Sequence, residues 1–130
     1  MSVTIRGSDV LFNDGTTQST AAIGVRAWVS YKGVTQTIKG SYNVSSVTYN
    51  STGIYTINFS SAMPHANYAV ITGNTGASTS ESSRLVTVRS AGSQNSDPYN
   101  KTTTSVSIIS GYGWSGGSFD TAEANIAIFA

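Results

Sequence analysis

Along residues 25–31 the chain alternates, with Val25, Ala27, Val29 and Tyr31 on one side and Arg26, Trp28 and Ser30 on the other. A period of two marks a β-strand with one face turned to a core. Lys32-Gly33 then predicts a two-residue turn in which glycine takes positive φ, with residues 34–39 returning as the hairpin partner. A clearer hairpin follows: residues 42–49 and 54–59 flank Asn50-Ser51-Thr52-Gly53, with Tyr55, Ile57 and Phe59 on one face and Thr56 and Asn58 on the other. Tyr49 and Tyr55 are expected to meet across it as an aromatic pair. Trp28 points away from Val29 and is expected to serve structure.

Met63-Pro64-His65-Ala66 interrupts the pattern, because proline has no N–H to give a central ladder. The pattern resumes over residues 68–72 and is closed by Gly73-Asn74-Thr75-Gly76. Residues 78–83 contain no apolar side chain and read as a loop; 85–89 are a further strand; 91–104 form a long polar loop. Residues 105–110 set Val106 and Ile108 against Ile109, the glycine-rich run 111–117 reads as a loop, and 124–129 make a last strand. Residues 3–22 alternate only weakly and read as a short strand or extended arm ending in a turn. Short strands punctuated by turn signals, with no repeat of 20 to 50 residues, predict an all-β chain. The expected architecture is an antiparallel β-sandwich over residues 23–130, preceded by an N-terminal arm and junction over residues 1–22.

Composition sharpens this picture. The 130 residues suit one domain, and charged residues make up only 10% of them, against about 25% in an average globular chain. Hydroxyls replace charge: 22 serines and 17 threonines accompany 13 glycines. Net charge is +1 with no clustered basic stretch, which argues against nucleic acid as a partner. The absence of cysteine removes disulfides and thiolate metal sites. No apolar run approaches the roughly 20 residues of a membrane span and no signal-peptide pattern opens the chain, so synthesis in the cytoplasm without membrane insertion is expected. Asn43, Asn50, Asn58 and Asn100 each begin an Asn-x-Ser/Thr triplet, which so hydroxyl-rich a sequence produces by chance.

Two stretches carry a family resemblance. Phe12-Asn13-Asp14-Gly15-Thr16-Thr17-Gln18-Ser19-Thr20-Ala21-Ala22 resembles the junction that leads into the outer domain of bacteriophage tail fibres and related virion appendages. Ala27-Trp28-Val29, Val44-Ser45-Ser46-Val47, Tyr55-Thr56-Ile57-Asn58-Phe59, Ala62-Met63-Pro64 and Asn67-Tyr68-Ala69 are similar to a module that recurs in the same virion proteins. The combined pattern covers more than a third of the chain. The resemblance implies a bacteriophage virion protein: a tail-fibre or fibre-tip domain, homotrimeric when part of a fibre. Its N-terminal arm would meet other virion proteins, and its loops would attach the particle to a host cell-surface glycan. A capsid decoration, head-fibre or connector protein with a purely structural role is the alternative.

Candidate chemistry is sparse. Glycoside hydrolysis needs two carboxylates about 5 to 9.5 Å apart, whereas Asp9, Asp14, Asp97 and Asp120 each stand in turn-like contexts where an Asp side chain caps a backbone amide. His65, the lone histidine, has no zinc-ligand partners at the usual spacing, and no G-x-S-x-G elbow occurs. Neither a catalytic residue, a metal site nor a cofactor is expected. The best ligand candidates are Tyr112 and Trp114, flat aromatic faces on a loop whose glycines would let backbone approach a sugar. Asp97, Tyr99, Asn100 and Lys101 in the long polar loop would add hydrogen bonds.

Overall fold

The computed structural model describes residues 3–5, 10–11, 14–15, 17–18, 24–75, 84–89, 101–112 and 117–130. Their strands are β1 (Thr4–Ile5), β2 (Val10–Leu11), β3 (Thr17–Gln18), β4 (Val25–Tyr31), β5 (Ile38–Tyr42), β6 (Val44–Ser51), β7 (Ile54–Phe59), β8 (Ala69–Thr75), β9 (Arg84–Val88), β10 (Ser105–Tyr112) and β11 (Glu123–Phe129). The three short N-terminal strands form their own sheet in the order β1-β2-β3. The rest form two four-stranded antiparallel sheets, β5-β4-β11-β8 and β6-β7-β10-β9. No helix occurs among the described residues, and the expected sandwich of two sheets is what the chain builds. The junction residues Phe12, Asn13, Thr16 and 19–22, and the loop 78–83, lie outside the described residues.

The four inner strands supply the core, and their alternation explains why. Ala27, Val29 and Tyr31 from β4, Tyr55, Ile57 and Phe59 from β7, Val106 and Ile108 from β10, and Ala124, Ile126 and Ile128 from β11 are all buried. Each large aliphatic side chain so buried contributes about 1.5 to 3 kcal/mol. Tyr49 lies opposite Tyr55, their rings edge-to-face with centroids 5.8 Å apart, and Tyr31 meets Tyr55 in the same manner at 5.3 Å.

Several boundaries differ from expectation: β6 runs to Ser51 and β10 to Tyr112, and three further differences have a physical reason in the contacts. The loop after β4 is longer than two residues: Lys32 N–H donates to Thr37 O at 2.9 Å, and Gln36 takes the positive φ (54°), its amide donating to Gly33 O. Gly33 is there for space, since a Cβ at that position would stand 2.3 Å from Thr121 O and 2.8 Å from the Tyr55 hydroxyl. Tyr42 ends β5 and does not begin β6, because Asn43 at φ 54° turns the chain from one sheet to the other. Its side chain fixes that corner: the amide donates to Arg26 O and Ser61 O at 3.1 Å each, and its oxygen accepts from Ser61 N–H at 2.7 Å. Gly73-Asn74-Thr75 continues β8, paired with Asn125, Ala124 and Glu123 of β11. At the opposite margin the Thr72 hydroxyl of β8 donates to Val86 O of β9.

Candidate functional site

Tyr112 is the last residue of β10, opposite Arg84 of β9; Trp114 lies outside the described residues, as do Asp97, Tyr99 and Asn100. Lys101 pairs with Val106 near the other end of β10. Six residues of extended chain separate Val106 from Tyr112, roughly 20 Å at about 3.4 Å per residue. Lys101 therefore lies beside the end of β10 away from Tyr112 and is not brought to it.

At its own end Lys101 has a structural task. Its ammonium donates to Tyr68 O at 3.0 Å and stands 5.3 Å from the centre of the Tyr68 ring. The Tyr68 hydroxyl faces Ser105 O at 2.9 Å and Thr102 O at 3.0 Å, while Phe59 N–H and Met63 N–H donate to Thr104 O and Thr103 O. Residues 101–105 thus clasp the passage from β7 to β8. His65, in that passage, is exposed.

The Tyr112 end is built around glycines and one carboxylate. Gly111 pairs with Ser118 and closes the base of the loop between them. A Cβ on Gly111 would lie 2.4 Å from Gly117 O, and one on Gly117 would meet the Phe119 ring at 2.9 Å. These two glycines are required by close packing within the loop base. Asp120 accepts from Gly53 N–H at 2.7 Å, the Tyr55 hydroxyl at 2.8 Å and the Tyr49 hydroxyl at 3.3 Å. Its expected capping role holds, and it ties the β6–β7 turn to the segment entering β11. Burial, and then the Asp120 hydrogen bond and charge, drive the Tyr55 phenol far above its ordinary pKa.

Beside Tyr55, the buried Tyr31 hydroxyl has no hydrogen-bond partner among the described residues, and burial alone raises its pKa. Leaving a buried hydroxyl unpaired costs about 1 to 3 kcal/mol. Tyr31→Phe is therefore expected to fold at least as stably as the parent, with a gain of about 1 kcal/mol in urea unfolding; a loss of that size would show that the hydroxyl is satisfied.

The outer face of the β5-β4-β11-β8 sheet holds a feature that the alternating pattern marked only as polar. Tyr42, Trp28, Ala127 and Ile71 stand in register across all four strands. Trp28 is 41% exposed, Tyr42 59% and Ile71 61%. Trp28 does serve structure in part, because its ring lies across Gly40, where a Cβ would be 3.1 Å from it. The next row along is Gly40, Ser30, Asn125 and Gly73. Between Trp28 and Ile71 a trough of about 400 Å³ runs over Ala127, Ser30, Asn125 and Gly73. Two residues before Asn125 on β11, Glu123 accepts from the Ser30 hydroxyl at 3.4 Å and pairs with Lys39, whose hydrogen bond holds the carboxyl below its ordinary pKa.

A scan of protein-family models, a search of curated proteins and a search of solved structures each match nothing to this chain.

Proposed function

We propose that the chain is a non-catalytic surface domain of a bacteriophage virion, a tail-fibre or fibre-tip module that attaches the particle to its host through many weak contacts. One observation carries the reading. Of the residues that resemble the virion module, Ala27, Val29, Tyr55, Ile57, Phe59, Met63 and Tyr68 are buried in the core, while Trp28, Ser45, Ser46, Ala62, Pro64, Asn67 and Ala69 are exposed. The buried part of the pattern is the scaffold of the two sheets, and its exposed part, with Trp28 on the outer sheet face, is open to carry contacts. A low charge density suits this role, since it limits nonspecific capture by long-range fields. Several copies per particle, as a homotrimer on each fibre, would turn modest single-site affinity into firm adhesion.

The exposed row of Tyr42, Trp28 and Ile71 favours one second reading, a decoration or connector protein that uses this face against its neighbours. Purified chain added to host cells separates the two. Under the attachment reading it competes with the particles and lowers their adsorption, and Tyr112→Ala with Trp114→Ala weakens the competition without changing the oligomer. Undiminished adsorption at saturating protein would refute attachment, and loss of assembled particles on Tyr42→Ala with Ile71→Ala, the chain still folded, would assign the structural role.

A further inference from the structure

We propose that the trough on the outer face of the β5-β4-β11-β8 sheet is a binding site for one neutral hexopyranose ring, stacked on Trp28 and hydrogen-bonded by Asn125. The first argument is a glycine that the fold does not explain. Gly40 is needed because the Trp28 ring lies across it, but Gly73 has no positive φ and a Cβ there would meet nothing within 4 Å. Glycine inside a strand weakens the sheet, and where neither conformation nor packing requires it, it marks the close approach of something else. A side chain at Gly73 would rise beside Asn125 and fill the trough floor.

The second argument is the chemistry of the walls. Trp28 and Ile71 stand two strands apart, roughly 10 Å between backbones, with only the Ala127 methyl between them. An indole face on one side and hydroxyl and amide groups at the other end suit a ligand with one apolar face and a ring of hydroxyls. That is the character of a pyranose. Ser30 and Asn125 bring a hydroxyl and an amide to the floor, each also hydrogen-bonded to Glu123 and so held in place with capacity left for a ligand, and the trough volume of about 400 Å³ falls in the range of small-ligand sites. Charge decides between neutral and acidic sugars. Among the described residues the trough lining holds no charged side chain; Lys39 and Glu123 beside it pair with each other, and Arg26 on the same face donates to Ala130 O, so the lining itself gives a carboxylate or sulfate no counter-ion. A second copy of the chain would need about 800 Å² of complementary surface per partner, and the glycine-floored hollow would remain unfilled beneath a flat sheet.

This inference deepens the attachment reading, but it is tested without a particle. Isotope-labelled protein is titrated with the methyl glycosides of glucose, galactose, mannose and N-acetylglucosamine, and the indole N–H of Trp28, assigned with Trp28→Phe, is followed by NMR. At least one glycoside is expected to shift the Trp28 indole and Asn125 amide signals, with a dissociation constant on the order of 1 to 10 mM, as about a dozen non-hydrogen atoms on an open face give. Gly73→Val should abolish the shifts while the melting temperature stays level or rises, since valine favours strands. Asn125→Ala should weaken binding several-fold. The proposal is overturned by silence from all four glycosides, by undiminished binding to Gly73→Val, or by shifts confined to the Tyr112 end. It is equally overturned if the parent sediments as an oligomer that Gly73→Val dissociates, for the face then belongs to a second copy. Glycoside binding without adsorption of particles would sink the virion reading and leave the trough standing; adsorption without glycoside binding would do the reverse.

Discussion

Replacing Gly53 by alanine is expected to remove a large part of the domain's stability. Gly53 sits at φ 70°, where an alanine loses about 1 to 2 kcal/mol to the left-handed conformation alone. The larger cost is steric. An added Cβ would stand 2.5 Å from Ser110 O, 2.6 Å from Phe119 N and 2.8 Å from Phe119 O, all backbone atoms that cannot swing aside. Those atoms are themselves fixed, because Ser110 N–H donates to Gly53 O at 2.7 Å and Phe119 N–H to Ser110 O at 2.9 Å. Forcing the methyl in must break this three-segment join, and with it the Asp120 cap on Gly53 N–H. Conformation and overpacking together amount to about 3 to 5 kcal/mol, a large part of the 5 to 15 kcal/mol of a typical domain. Urea unfolding followed by circular dichroism reads this directly, as a midpoint lowered by the equivalent of about 3 to 5 kcal/mol. Gly15→Ala is the control: Gly15 has φ 84° but its Cβ would meet nothing within 4 Å, so only the conformational part applies. A Gly53→Ala midpoint close to the parent's would show that the join yields.

Gly53 also illustrates what the sequence conceals. Its place in a hairpin turn is legible from the flanking alternation, but its contacts lie on Ser110 and Phe119, more than fifty positions away. The inner strands β4, β7, β10 and β11 were legible because each has one face in the core, so a period of two survives in their residues. β5 is an edge strand of sequence Ile-Lys-Gly-Ser-Tyr, with no such contrast, and its start could not be placed. The corner at Asn43 was hidden for a similar reason: Ser and Thr populate both faces of its surroundings and give no signal of inside or outside. At the candidate sites the same limit applies. Nothing local says that Lys101 bridges to Val106, at the end of β10 away from Tyr112, nor that Gly111 packs against Gly117. The outer row was missed because Tyr42, Trp28, Ala127 and Ile71 come together only through the pairing of four strands.

Alkaline solution should unfold the domain cooperatively, with the ionisation of three tyrosines as the driving event. Tyr31, Tyr55 and Tyr68 are at most 2% exposed, and each has a raised pKa. Burial is the leading cause in all three; for Tyr68 it outweighs the opposing backbone hydrogen bond and pushes the phenol up to about 12. In the unfolded chain the same groups ionise near pH 10. A folded pKa above the unfolded one means that the stability these groups contribute is complete below about pH 10 and falls as pH climbs toward the folded values, because the unfolded chain then binds fewer protons. Absorbance of phenolate near 295 nm should therefore show three groups ionising in one steep step that coincides with loss of the circular dichroism signal. Tyr31→Phe sharpens the test, since it removes one of the three protons without removing any hydrogen bond among the described residues. Its unfolding midpoint should move to higher pH, with a shallower dependence. Gradual ionisation of all tyrosines near pH 10 with the fold intact would mean that water reaches these phenols, and the packing of Tyr31 on Tyr55 at the centre of the sandwich would have to be abandoned.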